Sequence, residues 1–241
     1  MNELDERPGS GRRFDRAVVL GNLERIRANL DAACRGAGRD PADVRLVAAA
    51  KQVPPEPVRW VVDAGSLEVG HNYVRELAVM RDAVAGARWH YIGTLQSGTA
   101  HKVADLADVV QTVSSPRATE RLSRRASERG RILEVLLEVD FTGERAGLAP
   151  ERVPEAADRT AGLPALRLIG LMTLPPFDPD PEAARPYFAR LRELAERLRT
   201  DHPGVRELSM GMSLDYQVAA AEGATMVRIG TSLFGERPHR H

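Results

Sequence analysis

The chain has 241 residues, 43% of them hydrophobic and 28% charged, enough for a substantial core without a membrane span. Lys+Arg and Asp+Glu both number 34, and a net charge near zero argues against a nucleic-acid binder. The single cysteine, Cys34, excludes an internal disulfide and fits a reducing cytoplasm.

The N-terminal stretch MNELDERPGSGRR lacks the apolar core of a signal peptide and reads as a disordered polar tail, residues 1–13. From Phe14 to Arg35, Val18, Val19, Leu23, Ile26 and Leu30 recur at helical spacing and predict an amphipathic helix. An alternation follows. Val44–Ala50 is an apolar run, then a helix over Glu56–Ala64 closed by Gly65. Leu67–Asn72 precedes a helix over Val74–Val84, and Trp89–Gly93 precedes one over Ala100–Leu106. Val109–Val113 leads to a charged helix over Pro116–Arg129.

Ile132–Asp140 reads as a strand before a helix over Pro150–Ala161. Leu166–Leu174 is followed by a proline-rich loop and a helix with Asp180 as N-cap candidate and Pro181 in its first turn. Val205–Gly211, a helix over Leu214–Glu222 and Met226–Gly230 complete the series. Eight such strands, alternating with helices and with no linker between them, predict an α/β fold: one (β/α)8 TIM-type barrel over residues 14–241. The extra leading helix is expected to take the outer-ring place that the short segment after the eighth strand leaves open. A doubly wound open sheet is the alternative.

In such a barrel the reactive groups gather at the C-terminal strand ends. Lys51 follows strand one; an amine desolvated there becomes a nucleophile toward carbonyls. Singly, Ser213 reads as an N-cap and Gly230 as a turn. Together with Thr231, after strands seven and eight, they fit the place where barrels bind a phosphate. An amine facing a phosphate cradle suggests either a Schiff-base aldolase or a pyridoxal 5′-phosphate (PLP) protein.

The motifs AAAK, GHNYVRE, WHYIG, LQS, GLMTL, SMGMSLD and MVRIGTSLFG occur in the order and spacing of the pyridoxal phosphate homeostasis proteins, which the chain resembles from Val44 to Gly235. Their barrel is similar to the N-terminal domain of alanine racemase. The resemblance implies that Lys51 carries PLP as a Schiff base and that Ser213, Gly230 and Thr231 hold its phosphate. It implies Arg228 near the pyridine nitrogen, with Asn72, Ser209 and Met210 lining the pocket. An arginine facing that nitrogen disfavours its protonation and weakens the ring as an electron sink. It further implies a monomeric cytoplasmic protein that stores, buffers or delivers PLP, with apoenzymes as partners and without efficient catalysis. The alternative is an amino-acid racemase or related PLP enzyme. That alternative lacks an evident second acid–base group, since the sequence runs only eleven residues past Gly230 and its four tyrosines carry no matching motif. One departure stands out: the family's usual Gly-Glu-Asn is GHN here, so His71 replaces a carboxylate. His90 reads as a packed barrel residue.

Overall fold

A computed structural model describes residues 14–236; the polar stretch 1–13 lies outside the described residues. Eight strands form a closed barrel in sequence order: β1 (Arg45–Ala49), β2 (Glu68–His71), β3 (Arg88–Tyr91), β4 (Val109–Val113), β5 (Leu133–Val139), β6 (Leu166–Thr173), β7 (Glu207–Ser209) and β8 (Met226–Ile229). All eight pairings are parallel, including the β1–β8 closure that sets Val47 beside Arg228.

The leading helix α1 (Arg16–Gly36) starts where the Asp15 carboxylate accepts the Ala17 and Val18 N–H groups at 2.8 and 3.2 Å. It buries Val19, Leu23, Ile26 and Leu30, as the spacing predicts, and Cys34 besides, whereas Val18, counted on the same stripe, is exposed. Helices α2 (Pro55–Asp63), α3 (Val74–Ala83), α4 (Ala100–Leu106), α5 (Pro116–Glu128), α6 (Val153–Ala161), α7 (Arg185–Leu198) and α8 (Tyr216–Ala221) follow strands one to seven, and a single turn, α9 (Thr231–Phe234), follows β8. Helix α1 packs against α2, α8 and α9, so it fills the outer-ring gap as expected.

Several boundaries differ from the pattern, three of them near the candidate site. The seventh strand is only Glu207–Ser209, because the chain turns at Gly211, whose φ of +89° ends the extended run. The Asp180 cap accepts the Glu182 N–H at 3.0 Å, but it starts a short 3₁₀ turn, and the α-helix begins at Arg185. Ser213 is not the N-cap of the helix that follows it: Asp215 holds that position in α8.

Period-2 alternation divides the strand residues between two layers. Val69, Trp89, Val135, Leu208 and Val227 join the main core with the helices. The opposite face turns into the lumen, where strands that are not neighbours in the barrel meet. Gln111 of β4 reaches Ser209 of β7 at 2.7 Å, and Arg45 of β1 reaches Glu207 of β7 at 2.6 Å. Val109, Leu136 and Met172 form a separate small apolar cluster on that inner face. An ion-pair ring closes the N-terminal mouth: Arg45 and Arg88 approach Glu68 at 3.7 and 3.4 Å, and Arg88 and Arg167 both pair with Glu134.

Candidate functional site

The lumenal parity of Arg45 and Val47 continues through Ala49 to Lys51, which is half-buried just past the end of β1. Its ammonium stands over the Tyr73 ring, 5.1 Å from the centroid, a cation–π contact. The next residue, Gln52, has φ +59°, the one non-glycine in the left-handed region among the described residues. The Glu76 carboxylate of α3 accepts its N–H at 3.1 Å and so helps to hold the turn that presents Lys51.

On the adjoining strand β8, Arg228 is almost wholly buried. Its Nη1 donates to Ser209 Oγ at 2.5 Å and its Nη2 to the Thr173 carbonyl at 2.9 Å. Neither partner is a carboxylate. Burial therefore pulls the guanidinium pKa down to about 10, although Asp215 and Glu138 act in the other direction. Burial raises the carboxyls of both Glu138 and Asp215, with Arg228 partly offsetting the rise in each. Two carboxylates and one guanidinium thus share a water-poor region above the lumen.

The loops after β7 and β8 are latched together. Ser213 Oγ accepts the Ser232 N–H at 3.1 Å, and Ser232 Oγ donates to the Ser213 carbonyl at 3.1 Å. This brings Ser213, Gly230 and Thr231 into one neighbourhood, at the first turn of α9, where helical N–H groups lack intrahelical acceptors. A Cβ at Gly230 would stand 3.0 Å from the Ala49 carbonyl oxygen, so the glycine lets β8 run close to the strand that ends in Lys51. Hydroxyls, free N–H groups, a close-approach glycine and two cations suit a phosphorylated aldehyde, and PLP fits that donor set.

Asn72 follows β2 and donates to the Ile92 carbonyl at 3.4 Å. Its own carbonyl is why Gly93 is glycine, since a Cβ there would lie 2.0 Å from that oxygen. Met210 does not join the lumenal group: its side chain is buried in the main core, and its N–H donates to the Met226 carbonyl at 3.1 Å. The adjacent Ser209 carries the lumenal contacts, because neighbouring strand residues face opposite ways.

His71, in the position of the family's usual carboxylate, also faces outward. It is fully buried 6.2 Å from Trp89, with Nδ1 3.6 Å from Glu76, and neither ring nitrogen has a hydrogen-bond partner among the described residues. Burial lowers its pKa, against the pull of Glu76. His90 is lumenal and fully buried, as a packed barrel residue should be, yet it is hydrogen-bonded on both ring nitrogens, to Gln111 at 2.7 Å and to Glu68. Glu76, Gln111 and Glu138 are site neighbours that sequence reasoning missed. Parity within strands four and five would have turned Gln111 and Glu138 inward; nothing local marks Glu76.

The alanine racemase N-terminal domain model matches residues 21–238. The pyridoxal phosphate homeostasis protein of Aquifex aeolicus is 37% identical over 222 residues, 90% of this chain and 97% of that protein. Its counterpart in Escherichia coli K12 is 36% identical, over 92% and 97%. This chain belongs to the pyridoxal phosphate homeostasis protein family. Among solved structures, PipY of Synechococcus elongatus, determined with PLP bound, superposes with a TM-score of 0.80 at 32% identity, covering 90% of this chain and all of PipY. Clostridium difficile alanine racemase shares the fold, with a TM-score of 0.73 at 16% identity; the match spans 92% of this chain and 57% of that one.

Proposed function

We propose that this family member binds PLP in the C-terminal mouth of its barrel, covalently at Lys51, and serves intracellular PLP homeostasis by storing, buffering or delivering the cofactor. The observation that carries the reading is the Ser213–Ser232 latch, which gathers the phosphate donors on the strand ends adjoining the lysine that follows β1. The relatives' names and the PLP-bound PipY structure support it.

When bound, PLP supplies an aldehyde that condenses with an amine, with loss of one water, and a ring that withdraws electrons. The protein's own contributions are positional. The Gln52 turn presents the Lys51 amine, and Ser213, Thr231 and the N–H groups around Gly230 receive the phosphate. Arg228 offers a fixed cation to the ring nitrogen, which opposes proton uptake there. Asn72 and Ser209 border the same space. The single buried cysteine fits a reducing cytoplasm. A monomer with one open mouth suits transfer of PLP to apoenzymes.

Borohydride reduction of the loaded protein, followed by peptide mapping, tests the reading. The pyridoxyl group is expected on Lys51, and a Lys51→Ala protein is expected to trap none. Pyridoxyl on another lysine would displace the assignment.

One observation favours a second reading, a PLP-dependent amino-acid racemase: Tyr73 stands beside Lys51. Racemisation needs acid and base on opposite faces of the substrate carbon. Tyr73 and Lys51 follow neighbouring strands, β2 and β1, and so share one side of the mouth. Slow or absent deuterium incorporation into L-alanine in D2O is therefore expected of the loaded protein. Rapid incorporation that Lys51→Ala abolishes would make it an enzyme.

A further inference from the structure

From Arg228 a single hydrogen-bond chain descends through the barrel lumen. Arg228 Nη1 donates to Ser209 Oγ at 2.5 Å, Ser209 Oγ to Gln111 Oε1 at 2.7 Å, and Gln111 Nε2 to His90 Nδ1 at 2.7 Å. His90 Nε2 then meets the Glu68 carboxylate. The five residues come from five strands, β8, β7, β4, β3 and β2. Ser209, Gln111 and His90 are fully buried. At the far end Glu68 belongs to the ion-pair ring with Arg45 and Arg88.

The chemistry of the ends fixes its direction. A guanidinium only donates and a carboxylate only accepts. Ser209 must therefore accept from Arg228 and spend its one proton on Gln111. That sets the Gln111 amide with its NH2 toward His90, leaves Nδ1 bare, and puts the imidazole proton on Nε2, pointing at Glu68. Each member has one orientation. Burial, despite the pull of Glu68, lowers the His90 pKa and agrees with this neutral ring.

We propose that Gln111 and His90 are positioning residues for Arg228: the one-way chain locks the Ser209 hydroxyl as an acceptor, and with it the guanidinium that faces the cofactor's ring nitrogen. The inference rests on the placement of PLP proposed above. A buried polar network in which every member is satisfied specifies a single geometry, whereas a cut one leaves its neighbours free to turn. Cutting at Gln111 touches neither Arg228 nor the ion-pair ring.

The test uses the full chain in two forms. In the cofactor-free protein, ¹⁵N NMR of the Arg228 guanidinium reads its rotation. In the PLP-loaded protein, the ¹⁵N shift of labelled PLP reads the ring nitrogen. Gln111→Leu is expected to average the Arg228 Nη signals that are separate in the parent, to move the ring-nitrogen shift, and to weaken PLP binding about tenfold. Gln111→Glu is expected to rescue the Arg228 signals, because its carboxylate still accepts from Ser209; His90 then gains a proton on Nδ1 and shows imidazolium ¹⁵N shifts. A packing role alone would produce no such rescue. If Gln111→Leu does not fold, Gln111→Met, closer in shape and equally unable to accept from Ser209 as the amide oxygen does, takes its place with the same readouts. A folded, cut protein with unaltered Arg228 signals overturns the chain as a positioning device. If the ring-nitrogen shift ignores Arg228→Lys in an otherwise intact protein, the placement of the cofactor fails instead, and the cofactor-free measurement still decides the chain.

Discussion

Glu76 holds Gln52: the carboxylate on the first turn of α3 accepts the backbone N–H of the residue after Lys51 at 3.1 Å. With φ at +59°, Gln52 pays for that geometry in left-handed strain of about 1 kcal/mol. The turn that aims the lysine is therefore strained and braced from outside the barrel.

Gln52→Gly is expected to be as stable as the parent or up to about 1 kcal/mol more stable, since relief of strain opposes the added entropy of the unfolded chain. Gln52→Val should lose about 1–2 kcal/mol. Urea denaturation measures both, and a Gln52→Val midpoint equal to the parent's would show that the turn carries no strain. Glu76→Ala should slow borohydride trapping of PLP at Lys51 without abolishing it.

The buried His71 makes the fold acid-sensitive. Burial holds its pKa below the ordinary 6.5, so it contributes stability that is present above pH 6.5 and lost as pH falls through the depressed value. His90 has the same sign. His71→Leu should therefore flatten, without removing, the loss of stability below pH 6.5. At pH 7.5 it should gain about 1 kcal/mol by removing two unsatisfied ring nitrogens. Identical pH slopes for parent and variant would assign the loss elsewhere.

Glu138 acts with the opposite sign. Burial raises its pKa above 4.5, more than Arg228 lowers it; its contribution is full below pH 4.5 and is lost as pH rises through the raised value. Glu138→Gln should therefore be more stable than the parent at pH 7.5, with the advantage shrinking toward pH 4. A variant equally destabilised at both pH values would mean that the carboxylate serves Arg228 more than burial harms it.

The phosphate cradle predicts a ligand preference. Charge-assisted hydrogen bonds contribute about 1.5–3 kcal/mol each, so Thr231→Ala should weaken PLP binding about tenfold or more. Pyridoxal, without a phosphate, should bind far more weakly than PLP and be indifferent to Thr231→Ala. Equal affinities for the two ligands, read by absorbance titration, would move the cradle off the β7 and β8 loops.

The sequence by itself determined the barrel. Eight apolar runs separated by helical stripes admit few other parallel sheets, and the boundaries of α4 and β4 fall where the periodicity puts them. It also determined that Lys51, Arg228, Gly230 and Thr231 belong to one end of the barrel, because strand ends map directly onto the mouth. Tertiary structure alone decided which way the neighbours of those residues face. Ser209 turns inward and Met210 outward by the pleat, a choice that depends on a register no local pattern supplies. Only closure of the barrel brings Gln111 of β4 against Ser209 of β7, ninety-eight positions apart in the chain. The contact is polar and buried, so it exists only because every other member of its chain is satisfied, and that condition is met in three dimensions and nowhere along the sequence.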